Sequence, residues 1–340
     1  MINALANKLQ SFITIPLPWQ QQQWRHLYRL HQSGRLAHAL LFTGQAGLGK
    51  SVFAASFAKT LHCKQALASG TACQHCRDCL LVTANTHPDL SYIVPEKANK
   101  GIKIEQIRGI IQQINQTTPS AYKILIINPA DSLLVSSSNA LLKSLEEPTA
   151  RTLFILITDK PGLLLPTIRS RCQIIRFTSP DKSVGKAWLR EQLSENYELS
   201  ENTAENLYNL AHAAPLQALE YAKTGQLTVY QHLLDSMLAL LKKEIDPITL
   251  AECHLKTDLT TLLYFLMNIV SAVIKCQLQM HDPDSESVSV LHLLANKLNP
   301  TFLFNYFDRL LKLQQHIKII ALNQQLLLED LFCHWSLHAS

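Results

Sequence analysis

One eight-residue segment constrains the fold of this chain more than any other feature. Residues 44–51 have the sequence GQAGLGKS, which fits the pattern G-x-x-x-x-G-K-[ST] of a phosphate-binding loop. An apolar run typical of a buried strand, residues 38–43, precedes the loop, and helical spacing from about residue 50 to 62 follows it. This order of strand, loop and helix predicts an α/β domain that holds a phosphate group at the end of its first strand.

Each residue type in the loop suits phosphate chemistry. Glycines let backbone N–H groups curl around phosphate oxygens, Lys50 is expected to reach the β- and γ-phosphates, and Ser51 to ligate Mg²⁺. We therefore expect ATP with Mg²⁺ to bind here; the alternative is an inherited loop that holds phosphate weakly. The candidate binding residues are Gly44, Gln45, Ala46, Gly47, Leu48, Gly49, Lys50 and Ser51.

ATP hydrolysis requires more than this loop. It also needs a carboxylate on the Mg²⁺ side and a group that orients the attacking water, normally Asp-Glu at the end of a later strand. Here the apolar run 124–127 ends in Asn128-Pro129, where Asn is neutral and Pro offers no side-chain base. The next acid, Asp131, comes only in the following turn. We therefore expect this chain alone to turn over little or no ATP.

The other apolar runs of the N-terminal half alternate with helical spacing. They predict strands at residues 90–96, 122–130, 152–160 and 172–178. Strands that are apolar throughout and separated by helices indicate a parallel sheet covered on both faces, whereas only helical spacing follows residue 223, in about five segments. The predicted fold class is α/β plus all-α, with an α/β domain at 1–177, a small helical domain at 178–224 and an all-α domain at 225–340.

A second motif is a cluster of four cysteines, Cys63, Cys73, Cys76 and Cys79. Their x9, x2 and x2 spacing lets four thiolates reach one tetrahedral ion at about 2.3 Å. An iron–sulfur cluster can use similar ligands, but the chain has no other redox feature. We predict a structural Zn²⁺ that secures an insertion, residues 63–79, between the phosphate-loop helix and the next strand. His75 is expected to be a bystander.

The charge and hydropathy of the sequence indicate which partners and which cellular location to expect. Residues 1–177 contain 19 Lys and Arg against 8 Asp and Glu, whereas the remainder contains 12 against 18. This asymmetry favours a polyanion near the N-terminal part; uneven scatter over two ordinary surfaces is the alternative. No signal peptide is predicted, and the most apolar stretch, residues 259–274, falls short of the roughly 20 residues that cross a bilayer. We expect a cytoplasmic protein without membrane contact.

Together with these motifs, several short segments resemble the AAA+ subunits of the bacterial DNA polymerase III clamp loader. The segments are RLAHA at 35–39, HPD at 87–89, NALLK at 139–143, LEEP at 145–148 and SRC at 170–172. The resemblance spans nearly the whole chain. It implies that Arg171, in the last segment, reaches into the ATP site of a neighbouring subunit as an arginine finger, and that Thr158 is the sensor threonine near the nucleotide.

Within that family, departures from the ATP-hydrolysing gamma/tau type favour the non-motor delta-prime type. Asn128-Pro129 replaces Asp-Glu, and the sensing arginine of the helical lid is missing, Leu216 being the nearest position. Residues 323–331 with Trp335 look like the closing helix of the delta-prime type. The intact phosphate loop, which some subunits of this type have lost, implies ATP held as a static ligand without turnover.

The resemblance also implies partners. These are gamma/tau and delta subunits in a hetero-pentameric ring joined by a C-terminal helical collar, the sliding clamp, and primer–template DNA bound without sequence specificity. The chain would then be a non-catalytic part of a DNA polymerase holoenzyme. Three alternatives stay open: an active gamma/tau-type ATPase, a zinc-bearing P-loop enzyme such as a nucleotide kinase, and a stand-alone nucleic-acid-binding zinc module.

Overall fold

The computed structural model describes residues 16–97, 100–114, 122–194, 201–278, 287–316 and 323–337. The chain forms two compact units. Unit 1 comprises Met1–Gln192 together with Ala211–Ala218, and unit 2 comprises Leu193–Leu210 together with Leu219–Ser340. The finer division at residues 177 and 224 stays a prediction.

Unit 1 is built on one five-stranded sheet in which every pairing is parallel, in the order β2-β3-β4-β1-β5. The strands are β1 (Ala39–Thr43), β2 (Leu90–Ile93), β3 (Lys123–Ile127), β4 (Thr152–Thr158) and β5 (Gln173–Arg176). The helices are α1 (Gln21–Gln32), α2 (Lys50–His62), α3 (Arg77–Thr83), α4 (Ile104–Ile114), α5 (Val135–Glu146), α6 (Pro166–Arg169) and α7 (Lys182–Ser194), the last of which runs past the end of this unit. Short 3₁₀ turns stand at Pro18–Gln20, Ala130–Ser132 and Pro161–Leu163. The predicted parallel sheet is confirmed.

The sheet is buried on both faces because its strands send alternate apolar side chains to opposite sides. Leu40 and Phe42 of β1 pack with Phe53 of α2 in one cluster, which also includes Trp24 of α1. Leu41 packs on the other face, in a cluster with side chains of α4, α5 and α6. The sheet is therefore a rigid centre that fixes where each strand ends, and the polar residues after those ends form the candidate site.

Unit 2 is entirely helical in its described residues. Its helices are α8 (Glu201–Leu210), the later part of α9 (Pro215–Lys223), α10 (Gln226–Leu241), α11 (Pro247–Cys253), α12 (Leu259–Gln277), α13 (Ser287–Lys297), α14 (Pro300–His316) and α15 (Gln324–Ser336). From residue 225 onward the described residues form six helices, one more than expected, because the short helix α11 follows Asp246 and was not predicted. Asp246 caps α11 by accepting the backbone N–H groups of Ile248 and Thr249.

Among the described helices, α12 alone is long and apolar enough to cross a membrane. Its apolar side chains are nevertheless packed inside unit 2. Phe265, Leu266, Ile269 and Val270 are fully covered, and the helix lies against α13 and α14. A helix covered in this way is typical of the core of a helical domain, although the sequence analysis was wrong to judge this stretch too short to cross a bilayer.

Candidate nucleotide site, metal centre and arginine

The polar residues of the candidate nucleotide site gather at one edge of the sheet. In a parallel sheet all strands end at the same edge, where α/β proteins usually bind ligands. The phosphate loop follows β1, Asn128 follows β3 and Asp159 follows β4. The register pairs Thr43 with Thr158, so the loop and Asp159 leave the sheet side by side.

Backbone geometry explains the glycines of the loop. Gly47 and Gly49 have φ of 76° and 85°, a left-handed conformation that side chains with a Cβ disfavour. A Cβ on Gly47 would also lie 2.5 Å from the Cβ of Gln217, because the segment Ala211–Ala218 of unit 1 packs directly on the loop. Gly49 is the N-cap of α2, so the first N–H groups of that helix, which lack intrahelical acceptors, face the loop.

Lys50 is buried, with 4% of its side chain exposed, and its ammonium has three acceptors. Nζ donates to the carbonyl oxygens of Gly44 and Gln45, each at 2.7 Å, and forms an ion pair with Oδ1 of Asp159 at 2.6 Å. An ammonium has three N–H donors, so these contacts use all of them. Asp159 is itself 45% exposed and therefore has room to move.

Ser51, the residue expected to ligate Mg²⁺, has a neutral hydrogen-bond partner. Asn128 donates an amide N–H to the hydroxyl oxygen of Ser51 at 2.9 Å. Thr158 donates its hydroxyl to Asp131 at 2.6 Å and accepts the backbone N–H of Lys160. Within the described residues, no carboxylate forms a hydrogen bond to Ser51. A hydroxyl in contact with an amide N–H is a weaker Mg²⁺ ligand than one beside a carboxylate, because the amide adds no negative charge.

Residues outside the loop donate hydrogen bonds to its backbone carbonyl oxygens. Leu48 offers its carbonyl oxygen to Trp19 Nε1 at 3.1 Å and to Gln20 Nε2 at 2.9 Å. The backbone N–H of Leu216 donates to the carbonyl of Gly47. Leu216, the position nearest to the missing sensing arginine, thus lies against the phosphate loop with an apolar side chain. An uncharged side chain there cannot pair with a phosphate.

The four cysteines come together as the sequence predicts. All four Sγ atoms lie within 4.8 Å of one another, and Cys63–Cys76 and Cys73–Cys79 are each separated by 3.9 Å. Thiolates 2.3 Å from a tetrahedral ion stand about 3.8 Å apart, so the spacing fits one Zn²⁺. The Nδ1 atom of His75 contacts the Cys73 carbonyl at 2.7 Å, which is consistent with a bystander.

The surroundings of these thiols shift their pKa values in opposite directions. Burial raises the pKa of Cys63 and of Cys79. At Cys73 burial acts in the same direction, but hydrogen bonds from the N–H groups of His75 and Cys76 outweigh it and lower the pKa to about 6. A bound divalent ion would lower the pKa of all four thiols, because metal binding favours the thiolate form of every ligand.

A pair of histidines lies beside the cysteine module. The rings of His62 and His87 have centroids 4.0 Å apart, and both side chains are buried. Burial and then the neighbouring His87 lower the pKa of His62 to about 4. Nε2 of His87 faces Oδ1 of Asp78, which lies between two of the cysteines, at 3.8 Å. The sequence analysis did not identify this pair.

Arg171 lies at the opposite edge of the sheet from the phosphate loop. The register sets Gln173 beside Leu40 and Arg176 beside Thr43, so Arg171 comes before the beginning of β5. The length of β5, roughly 13 Å at about 3.3 Å per residue, therefore separates its level from that of Gly44. Nη1 of Arg171 donates to the carbonyl of Thr167 at 2.9 Å, and the side chain is 35% exposed. Arg171 therefore points away from the loop of its own chain.

The sequence analysis did not predict two ion pairs at the candidate sites. Asp159 pairs with Lys50, and Glu146 of the LEEP segment pairs with Arg171. Each partner is separated from the other by tens of residues, so no local motif links them. A usable signal for Asp159 was its place directly after a strand, where parallel strands collect ligand-binding residues. The remaining predicted loop residues, Gly44 to Ser51, all lie at that edge, together with Thr158.

Comparisons with known proteins support one family. The family model described as "DNA polymerase III, delta subunit" matches residues 19–181, and the one described as "DNA polymerase III, delta subunit, C terminal" matches residues 224–336. DNA polymerase III subunit delta-prime of Pseudomonas aeruginosa is 33% identical over 325 residues, covering 94% of this chain and 97% of that protein. The Escherichia coli subunit delta-prime is 33% identical over 178 residues, 52% of this chain and 53% of that protein.

Among solved structures, a DNA polymerase III gamma subunit-related protein of Thermotoga maritima aligns with a TM-score of 0.43 and 18% identity. That alignment covers 94% of this chain and 100% of the other.

Proposed function

This chain belongs to the family of DNA polymerase III delta-prime subunits, and on that premise we propose that it is a non-motor subunit of a clamp loader. In this role it assembles with gamma/tau and delta subunits in a hetero-pentamer and helps load the sliding clamp onto primer–template DNA in the cytoplasm. It supplies Arg171 in trans to the ATP site of a neighbouring subunit, while its own site binds nucleotide without turnover.

The observation that carries the in-trans role is the position of Arg171. It lies at the edge of the sheet opposite the phosphate loop, so a γ-phosphate held by Lys50 of the same chain is out of its reach. A partly exposed guanidinium suits the ATP site of a neighbour, because it is permanently charged and planar and can stabilise the charge on a transferring phosphoryl group. Cys172 beside it is half-buried, and burial raises its pKa to about 12, so this thiol stays neutral.

Two features of the chain's own loop support a site without turnover. Ser51 contacts the neutral amide of Asn128 where a motor subunit has a carboxylate, and Leu216 brings no charge to the phosphates. Turnover also needs a group that orients water, and Pro129 provides none. The four-cysteine module fits a structural Zn²⁺, since protein sulfur fills all four positions and leaves none open for a substrate.

The positive charge of residues 1–177 supports contact with the DNA backbone. Phosphate contacts carry no sequence information, in keeping with a loader that acts at any primed site. The contact is proposed for the domain as a whole.

The test is ATP turnover in a reconstituted loader containing gamma, delta and this chain, with the sliding clamp and primed DNA. The remaining motor sites carry substitutions of their P-loop lysines, so that only the site facing this chain is active. We expect Arg171→Ala to lower turnover at that site by a hundredfold or more. Arg169→Ala, at the end of α6 and two residues before Arg171, is the matched control and should retain most activity.

Unchanged turnover in Arg171→Ala, with a large loss in Arg169→Ala, would transfer the role to Arg169. A second assay addresses the gamma/tau-type alternative. If the isolated chain hydrolyses ATP and Lys50→Ala abolishes this hydrolysis, the chain is a motor subunit and the proposal is wrong.

A further inference from the structure

The ion pair between Lys50 and Asp159 bears on which nucleotide the phosphate loop holds. Lys50 donates to two loop carbonyls and to Asp159, so its third donor already has a negatively charged acceptor. In a phosphate loop this lysine is the group that reaches the β- and γ-phosphates. A carboxylate oxygen 2.6 Å from Nζ therefore stands where an oxygen of the terminal phosphate would be bound.

From this geometry we propose that the loop is a nucleoside diphosphate site in which the carboxylate of Asp159 takes the place of the third phosphate. The inference rests on the proposed function, in which this chain binds nucleotide without turnover. It goes further by naming the ligand class, a diphosphate such as ADP, and the residue that selects it.

The selection follows from charge. A triphosphate carries more negative charge at its terminal group than a diphosphate, and that charge would approach Asp159 closely. Binding a triphosphate thus requires Asp159 to leave Lys50, whereas a diphosphate can keep this pair and accept, through its β-phosphate, a donor that Lys50 otherwise gives to a loop carbonyl. Because the Lys50 side chain is 4% exposed, solvent screens this interaction less than it would at the surface.

The rest of the loop still suits the α- and β-phosphates. These groups are held mainly by backbone N–H groups of the loop and the start of α2, and Gly47 and Gly49 keep the left-handed backbone that presents them. The group that normally supports the γ-phosphate besides lysine is Mg²⁺. Ser51, its expected ligand, contacts the neutral amide of Asn128, so this support is weakened as well.

Asp159 can be tested without disturbing the core. Its side chain is 45% exposed, and Asp159→Asn keeps its size while removing the charge. Glu96→Gln is the matched control. Glu96 is an exposed carboxylate in the same unit and pairs with Lys103. It follows β2, which β3 separates from the β4–β1 pair. Lys50→Ala defines the background without the loop ammonium.

The experiment is isothermal titration of the full chain and these three variants with ADP and with ATP, each in the presence of Mg²⁺. We expect the wild type to bind ADP at least tenfold more tightly than ATP. Asp159→Asn should raise ATP affinity at least fivefold while changing ADP affinity less than threefold, and Glu96→Gln should change neither. Lys50→Ala should abolish the binding of both.

Equal affinities of the wild type for ADP and ATP, or a ratio that Asp159→Asn leaves unchanged, would overturn the inference while leaving nucleotide binding itself established. Absence of binding of either nucleotide to both wild type and Asp159→Asn would overturn the inference together with the nucleotide-binding part of the proposed function. The in-trans role of Arg171 has its own assay and would stand or fall separately. Circular dichroism of each variant checks that a loss of binding is not a loss of folding.

Discussion

Arg171 forms an ion pair with Glu146, the last residue of α5, in which Nη2 lies 2.5 Å from Oε1 of the carboxylate. A second anchor is the Thr167 carbonyl, which accepts from Nη1. Both charged side chains are partly exposed, so the pair contributes little to stability. We propose that the pair orients Arg171, because two anchors restrict a long side chain that, in the proposed function, meets a phosphate on another subunit.

We therefore predict that Glu146→Gln lowers kcat at the neighbouring ATP site about three- to tenfold, with KM changed less than twofold. The measurement is steady-state turnover in the reconstituted loader with only that site active. The matched control is Glu147→Gln, since Glu147 is an exposed neighbour and its charge is the same. If Glu146→Gln and Glu147→Gln have equal effects, or if KM alone changes, Glu146 does not position Arg171.

The strands of this fold are predictable from sequence for a physical reason. A strand buried on both faces must be apolar at every position, so the five residues of β1 and the seven of β4 stand out as continuous runs. The ends of α2 were also predicted, because the phosphate loop requires a helix to begin at Lys50. The cysteine module followed from ligand spacing alone.

The pairings at the site were not predictable in this way. The contact of Lys50 with Asp159 depends on β4 lying beside β1, and the order of strands along the chain does not specify which strands become neighbours. Helix α11 was missed for a different reason. Asp followed by Pro can end a segment or cap the start of a helix, and only the hydrogen bonds of Asp246 distinguish the two.

A carboxylate at position 128 should restore the magnesium side of the nucleotide site. Asn128 contacts the hydroxyl of Ser51, so Asn128→Asp would put a negative charge beside the expected Mg²⁺ ligand. We expect ATP affinity to rise about tenfold in Mg²⁺ and to fall in EDTA. Turnover should remain absent, because Pro129 and Leu216 are unchanged.

Fluorescence titration with a labelled ATP, in Mg²⁺ and in EDTA, measures the effect, and Asn128→Ala serves as the control that removes the amide without adding charge. Equal gains in both buffers would argue against a metal-linked role. Measurable hydrolysis by Asn128→Asp would mean that position 128 alone silences the site.

Loss of one thiol should release the proposed zinc. Cys79 is fully buried with its Sγ 3.9 Å from that of Cys73, so Cys79→Ser removes one of the four clustered sulfur atoms. We expect zinc affinity to fall at least a hundredfold and the melting temperature to drop, as measured by metal analysis after dialysis and by calorimetry. Cys253→Ser, at an exposed cysteine outside the cluster, should retain the metal.

Zinc affinity should also fall as the pH is lowered from 8 to 6. The raised pKa of Cys63 and of Cys79 means that protons compete with the metal for these two sulfurs, and the competition strengthens as pH falls. In the separate Cys79→Ser experiment described above, retention of zinc at full stoichiometry would rule out the four-thiolate site.

The buried His62 should make the stability of the chain depend on pH. Its pKa is about 4 when folded, against about 6.5 in an unfolded chain, so between these values the unfolded state binds more protons and acid favours unfolding. Relative to His62→Leu, the wild type should therefore lose about 2 kcal/mol of unfolding free energy between pH 7.5 and 5. Urea titrations of both proteins at each pH would measure this difference. His26→Leu, at an exposed histidine, should follow the wild type. Parallel pH curves for the wild type and His62→Leu would show that His62 takes up its proton without unfolding the chain, and that burial does not lower its pKa.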